Sequence, residues 1–346
     1  MSKPKLALYW AASCGGCEIT VVDIEEKILD VAEFFDIVLW PCVMDFKYED
    51  VEAMADGEID ITLFNGAIRN SENEHMAKLL RRKSKLLIAF GSCAQEGCIP
   101  GLANFYDKKG IFEYAYNESP SVEESSKGIF PVPTTKMPEG EITIPEFWDT
   151  VRTLDQIVNV DYYIPGCPPQ SFQVTAVILA VIDILKTGKE LPPKHAILGA
   201  DEKTCCDECP RVRKEKKIKE FFRPHEIIPK EDECLLDQGI LCMGPATRSG
   251  CGALCTKANV PCRGCYGAPK NVTDQGAKII SALSSVVDAT TPEEVKRILG
   301  KIIDPLGTMY RFSLASSTFR RVQFNENISD LPATSGLSGN QAGENK

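Results

Sequence analysis

The stretch WAASCGGCEIT, residues 10–20, narrows what this chain can fold into more than any other. KLALYW (5–10) reads as a buried strand, and the residues from Glu18 onward read as a helix. A strand that enters a glycine loop and then a helix commonly builds a phosphate cradle from backbone amides. Here the loop carries Cys14 and Cys17 instead, so the first strand end is equipped for a soft metal.

Four more apolar runs match the first: 35–40 (FDIVLW), 59–65 (IDITLFN), 85–91 (KLLIAFG) and 160–164 (VDYYI). They are nearly continuous in hydrophobicity, as parallel strands covered on both faces are. Helical patterns alternate with them. Residues 18–33 form one amphipathic stretch. A helix opens at Ser71 with Glu74 closing a capping box, and another runs from about Ser171 to Thr187 before Gly188. This alternation predicts an α/β domain, a flavodoxin-like doubly wound parallel sheet.

The pattern changes along the chain. Residues 116–146 are rich in Pro, Ser and Glu and read as an irregular insertion. Residues 200–270 hold nine of the fifteen cysteines and little periodicity, so metal centres are expected to organise them. Helices follow at 274–287 and at 292–303, the second with Thr291 as N-cap and Glu294 closing its box. ATSGLSGNQAGENK reads as a disordered tail. The expected division is 1–195, a flavodoxin-like domain; 196–275, an irregular cysteine-rich iron–sulfur domain; and 276–346, a helical extension and tail.

In a doubly wound sheet, functional groups collect where loops leave the carboxyl ends of the strands. Cys14 and Cys17 follow the first strand, Cys93 in GSCAQEGC the fourth, and Cys167 in IPGCPPQ the fifth. Four thiolates there make a tetrahedral sulfur site for zinc or an iron–sulfur cluster. Ligands drawn from three strand ends, with glycines at 15, 16, 91 and 166 admitting backbone amides to inorganic sulfur, favour the cluster.

The remaining thiols divide into two more fours: Cys206, Cys209, Cys234 and Cys242, then Cys251, Cys255, Cys262 and Cys265. Cys205 can stand in for Cys206. Cys42 and Cys98 have no partner in this pattern and read as buried free cysteines. No secretion signal is seen and the chain has enough core to fold without staples, so metal explains the cysteines better than disulfides. The formal net charge of −10 argues against a nucleic-acid partner. The basic run 211–219 reads as a solvated helix face or a docking patch for an acidic partner. VTAVILAVIDIL (174–185) is too short to span a membrane. The expected location is the cytoplasm.

At SCGGCE, GSCAQEGCIPG, IPGCPPQ and the cysteine-rich C-terminal half, the sequence resembles the small, electron-transferring subunit of a nickel–iron hydrogenase, over about residues 4–270. The resemblance implies a proximal 4Fe-4S cluster on Cys14, Cys17, Cys93 and Cys167. It implies a distal one on Cys206, Cys209, Cys234 and Cys242, where Cys206 replaces the histidine of periplasmic members. A medial one falls on Cys251, Cys255, Cys262 and Cys265, the fourth thiol implying 4Fe-4S rather than a three-iron cluster.

Without a twin-arginine signal or a two-cluster ferredoxin domain, the chain is most similar to the cytoplasmic methyl-viologen-reducing, heterodisulfide-reductase-associated type. The implied function is oxidoreductase: electrons pass from a nickel–iron centre in a large partner subunit through three clusters. They leave to a small iron–sulfur acceptor subunit or a heterodisulfide reductase complex. Glu18 is placed either to move protons at the subunit interface or to cap the first helix.

Two alternatives stay open. One is the cluster subunit of a complex I-like quinone or ferredoxin oxidoreductase, which typically has adjacent cysteines where this chain reads CGGC. The other is a zinc-stabilised non-redox scaffold. A flavodoxin-type flavin site is disfavoured because the first loop lacks a Ser/Thr-rich cradle.

Overall fold

The computed structural model describes residues 3–214 and 217–320. The tail ATSGLSGNQAGENK lies outside the described residues, as do residues 215 and 216 of the basic run.

All five apolar runs are strands of one parallel sheet. They are β1 (Lys5–Trp10), β2 (Asp36–Leu39), β3 (Ile59–Asn65), β4 (Ser84–Phe90) and β5 (Tyr162–Ile164). Their order is β2-β1-β3-β4-β5, the flavodoxin-like arrangement expected from the sequence. The register runs Trp10 opposite Asn65, Asn65 opposite Phe90, and Phe90 opposite Ile164. One row across the sheet therefore holds the last residues of β1, β3, β4 and β5. The cysteine-bearing loops after β1, β4 and β5 leave from that row.

Helices cover both faces. Helix Ser171–Thr187 packs Val174 and Val177 on Leu8, Leu63 and Ile88 of one face. Helix Ser71–Lys83 packs Met76 and Leu80 on Tyr9, Phe64 and Leu87 of the other. Each such buried side chain contributes about 2 kcal/mol by leaving water. That is why near-continuous hydrophobicity specified these strands.

Three local expectations need correction. The stretch 18–33 is two helices, Gly16–Val22 and Lys27–Phe34, parted where Glu25 takes a left-handed φ of 59°. Ser71 is not a cap: the Asn70 side chain accepts from the Asn73 N–H at 2.8 Å. Ser71 Oγ instead accepts from the Glu146 N–H, and Glu74 pairs with Lys78 and Arg152. Within the irregular insertion, Thr134–Met137 and Gly140–Thr143 form a small exposed hairpin.

The cysteine-rich region has an apolar core of its own. Ile218, Phe221, Leu235 and Ile240 pack with Ile279 and Leu283 of helix Gln275–Ser284 and with Ile298 of helix Pro292–Leu299. Thr291 caps that last helix with Glu294, as its sequence predicts. Among the described residues, no helix is long and apolar enough to cross a membrane.

Candidate metal centre

Cys14, Cys17, Cys93 and Cys167 line one cavity at the carboxyl edge of the sheet, with Ser13, Asn65 and Ser92. The loops are tied to each other: Ser92 N–H donates to the Gly166 carbonyl at 2.8 Å, and Ser92 Oγ accepts from Gly166 N–H at 3.3 Å. Gly91 is held at a φ of 82°, where a Cβ would sit 2.3 Å from Cys17 Sγ, so only glycine admits the backbone this close. Burial, then the neighbouring thiols of Cys93, Cys167 and Cys14, push the Cys17 thiol well above its usual range. Crowded thiols that keep their protons alone become ligands when a cation displaces those protons.

Cys98 is a fifth thiol here, and the sequence did not announce it. It is fully buried, its backbone holds a φ of 46°, and its N–H donates to the Phe312 carbonyl at 2.9 Å. Its Sγ lies 3.5 Å from Cys167 Sγ, and that contact pulls the Cys167 thiol down. A signal was available: Cys98 stands five residues after Cys93, next to a glycine that turns the chain back. Cys42, by contrast, is exposed rather than buried.

Glu18 is buried at 4% exposure and accepts from the Trp40 indole N–H. Its other oxygen has no hydrogen-bond partner among the described residues. Burial raises its carboxyl above the usual range, against the pull of Trp40. Helix Gly16–Val22 begins at Gly15 with no side-chain cap bond, so Glu18 does not cap it.

The C-terminal thiols influence one another electrostatically. Cys206 has Cys234, Cys209 and Cys262 as neighbours, and desolvation of its sulfur, on a residue otherwise exposed, pushes it up to about 12. A Cβ at Gly244 would lie 3.0 Å from Cys206 Sγ and 3.7 Å from Cys242 Sγ, so bare backbone closes this group. Cys255 neighbours Cys262 and Cys251, and Cys265 neighbours all three. Desolvation raises the exposed Cys255 and the more buried Cys265, whereas Cys262 drops to about 7, chiefly under the influence of the Cys205 thiol.

Cys265 also neighbours Cys167, and Cys262 neighbours Cys206 and Cys242. The 251–265 thiols thus feel the sheet-edge thiols through Cys265 and the 206–242 thiols through Cys262. Cys205 and Cys206 face different groups, because adjacent positions on helix Cys205–Glu208 point apart.

Arg211 binds the second region together. Its guanidinium donates to the carbonyls of Thr256 (2.8 Å), Lys230 (2.6 Å) and Glu233 (3.0 Å) and to Asn259 Oδ1 (2.6 Å). The Glu208 carboxylate accepts N–H bonds from Gly250, Gly252 and Ala253, fixing the loop of Cys251. An all-sulfur donor set backed by close main chain fits iron–sulfur or zinc chemistry and offers no hydrolytic nucleophile–base pair.

Residues 14–181 match the protein family described as NADH ubiquinone oxidoreductase, 20 Kd subunit. The chain is 43% identical over 330 residues to the iron-sulfur subunit of the F420-non-reducing hydrogenase of Archaeoglobus profundus, covering 92% of this chain and 99% of the relative. It is 37% identical to a subunit of the F420-non-reducing hydrogenase of Methanothermobacter thermautotrophicus, covering 91% and 96%. A chain from the crystal structure of NAD+-reducing NiFe-hydrogenase in the H2-reduced state matches 55% of this chain and 96% of its own length. Its identity is 27% and its TM-score 0.46. With relatives this similar along nearly its whole length, the chain belongs to the family of these F420-non-reducing hydrogenase subunits and is an oxidoreductase subunit of a hydrogenase.

Proposed function

We propose that this chain is the electron relay of its hydrogenase. It holds three 4Fe-4S clusters and carries electrons away from a nickel–iron centre in a larger partner subunit. Cys14, Cys17, Cys93 and Cys167 hold the proximal cluster. Cys251, Cys255, Cys262 and Cys265 hold the medial one, and Cys206, Cys209, Cys234 and Cys242 the distal one. The flavodoxin-like body, 1–195, carries the first. The region 196–275 carries the other two, backed by residues 276–320.

One observation supports this reading above the rest. The 251–265 thiols couple to both other groups, Cys265 packing in one cluster with Cys167 and Cys262 acting on Cys206 and Cys242. Sulfur groups each within electrostatic reach of the next suit a path, whereas a scaffold stiffened by zinc has no use for such coupling. Backbone amides near the sulfurs and burial set the potentials. Glu18, buried beside Cys17, serves proton movement near the partner. The acceptor is a small iron–sulfur subunit or a heterodisulfide reductase complex, and the site of action is the cytoplasm.

Anaerobic co-purification with metal analysis and low-temperature EPR tests this. Roughly twelve irons per chain are expected, as three clusters of four, with nickel in a larger co-purifying subunit. The sheet-edge thiols would serve a quinone-linked relay equally well, and the matched family description keeps that reading in view. Iron without nickel would favour it, and zinc without iron would overturn both.

A further inference from the structure

A cavity of about 320 Å³ in the second region is lined by Arg223, Arg263, Lys301 and Arg311, with Asp304 as the one carboxylate among its lining residues. That carboxylate is already engaged, accepting from the Gly307 N–H at 2.8 Å to cap the helix Pro305–Met309. Lys301 has Glu220 at 3.6 Å. Among the described residues, Arg223 and the half-buried Arg263 and Arg311 have no ion-pair partner. The basic run 211–219 is different, for it turns much of its charge inward. Arg211 is buried, Arg213 pairs with Asp237 at 3.1 Å, and Lys214 pairs with Glu233 at 2.9 Å. The open positive charge of this region therefore lies at the cavity, in a chain whose net charge is −10.

We propose that this cavity is the docking site of the electron-acceptor protein, which enters it with an acidic surface segment. The site rests on the relay reading above, since a chain that passes electrons on must seat their recipient. Like charges gathered without a counter-charge repel one another, and carboxylates from a partner relieve that repulsion. The cations stand on four separate stretches of chain around apolar walls that include Phe222 and Ile240. An apolar centre ringed by charge is the anatomy of a protein interface rather than of a pocket for one small anion. Leu241 on the wall directly precedes Cys242, and Arg263 directly follows Cys262. A protein seated there lies against the chain that carries thiols of both C-terminal groups. The same open charge would steer an acidic partner toward this face before contact.

The test uses the purified complex of this chain with its nickel-bearing subunit, and the small iron–sulfur subunit as the probe. Wild type, the double variant Arg223→Glu/Arg311→Glu and the single variant Arg311→Lys are compared. Retention of the probe is followed by size-exclusion chromatography at rising salt, beside iron analysis and hydrogen-dependent reduction of methyl viologen. The double reversal is expected to weaken retention about tenfold at low salt, whereas Arg311→Lys keeps the charge and the probe. Iron stays as in wild type, and reduction of the cationic dye does not fall. If reversal costs iron, the comparison is read in Arg223→Gln/Arg311→Gln, where retention falls by less but in the same direction. Equal retention of the probe at every salt overturns the proposal. So does loss of the nickel-bearing subunit in its place, which would assign the cavity to that interface. A small anion seen on wild type by native mass spectrometry and lost from the double variant, with the probe retained, overturns it as well. Wild type without iron would overturn the relay reading itself, and the docking site with it.

Discussion

The Sγ of Cys98 lies 3.5 Å from the Sγ of Cys167, inside a group whose other thiols come from three strand ends. The two cysteines differ in how they reach that point. Cys167 arrives on the loop after β5 and lines the cavity. Cys98 is drawn in by a turn at Gly97 and pinned by Phe312 and Ala315 of the C-terminal segment. The relay reading needs Cys167 and not Cys98. Cys167→Ser is therefore expected to lose about four irons per chain, whereas Cys98→Ala keeps its iron and loses about 1 kcal/mol of stability to a small void. Iron analysis beside thermal unfolding separates them; equal iron loss in both would make Cys98 a ligand.

Gly91 gives a second test of the same cavity. A Cβ there meets Cys17 Sγ at 2.3 Å, and the positive φ adds backbone strain. Neither can be relieved cheaply, because Gly91 N–H donates to the Ile164 carbonyl and so is fixed to β5. Gly91→Ala should cost about 3 kcal/mol and displace Cys17, with loss of the proximal EPR signal. A variant with native iron and native melting temperature would show that the loop is free to move.

How far the sequence went can be judged on these residues. β1 to β5 were legible because a doubly covered strand must be apolar on both faces. Once they were placed, the meeting of Cys14, Cys93 and Cys167 followed from sheet order. The break at Glu25 was not legible: DIEEK contains no glycine or proline, and only the backbone conformation ends the helix. The cap of helix Ser71–Lys83 was misplaced by one residue because Asn70 and Ser71 are both good caps, and the choice depends on which of them the segment around Glu146 engages. Cys205 and Cys206 are indistinguishable as letters; helical phase separates them. Cys98 looked like core because its role depends on Phe312, more than two hundred residues away in sequence.

Glu96 links the two halves through a titration. Its carboxyl is buried beside Gly267, accepts from the Ala268 N–H, and is pushed by burial up to about 8, with Arg248 pulling weakly the other way. Below its ordinary value of 4.5 both folded and unfolded chains hold the proton, and stability is whole. Between there and about pH 8 only the folded chain keeps it, so stability falls as pH rises and levels off above. The slope is roughly 1.4 kcal/mol per pH unit. Glu96→Gln removes this dependence. The variant should melt close to wild type at pH 5 and clearly above it at pH 8; parallel melting curves across that range would sink the assignment.

Arg211 tests whether the second region depends on its polar clamp as well as on metal. The guanidinium is 8% exposed and donates to four acceptors on two segments, Lys230 and Glu233 just before Cys234, and Thr256 and Asn259 just after Cys255. Asn259 reinforces the same junction, its amide donating to the Pro229 carbonyl while accepting from Arg211. Arg211→Ala leaves three carbonyls and an amide oxygen to find other donors, at a cost of about 3 kcal/mol or more. Arg211→Lys keeps the charge but cannot fork, so it should recover only a part. The sheet-edge thiols, held by β1, β4 and β5, do not depend on Arg211. The expected result is therefore selective: iron falls toward about four per chain while the proximal signal persists. Loss of all three signals together would mean that the two halves fold as one cooperative unit, and full retention of iron would mean that the metal alone orders the loops.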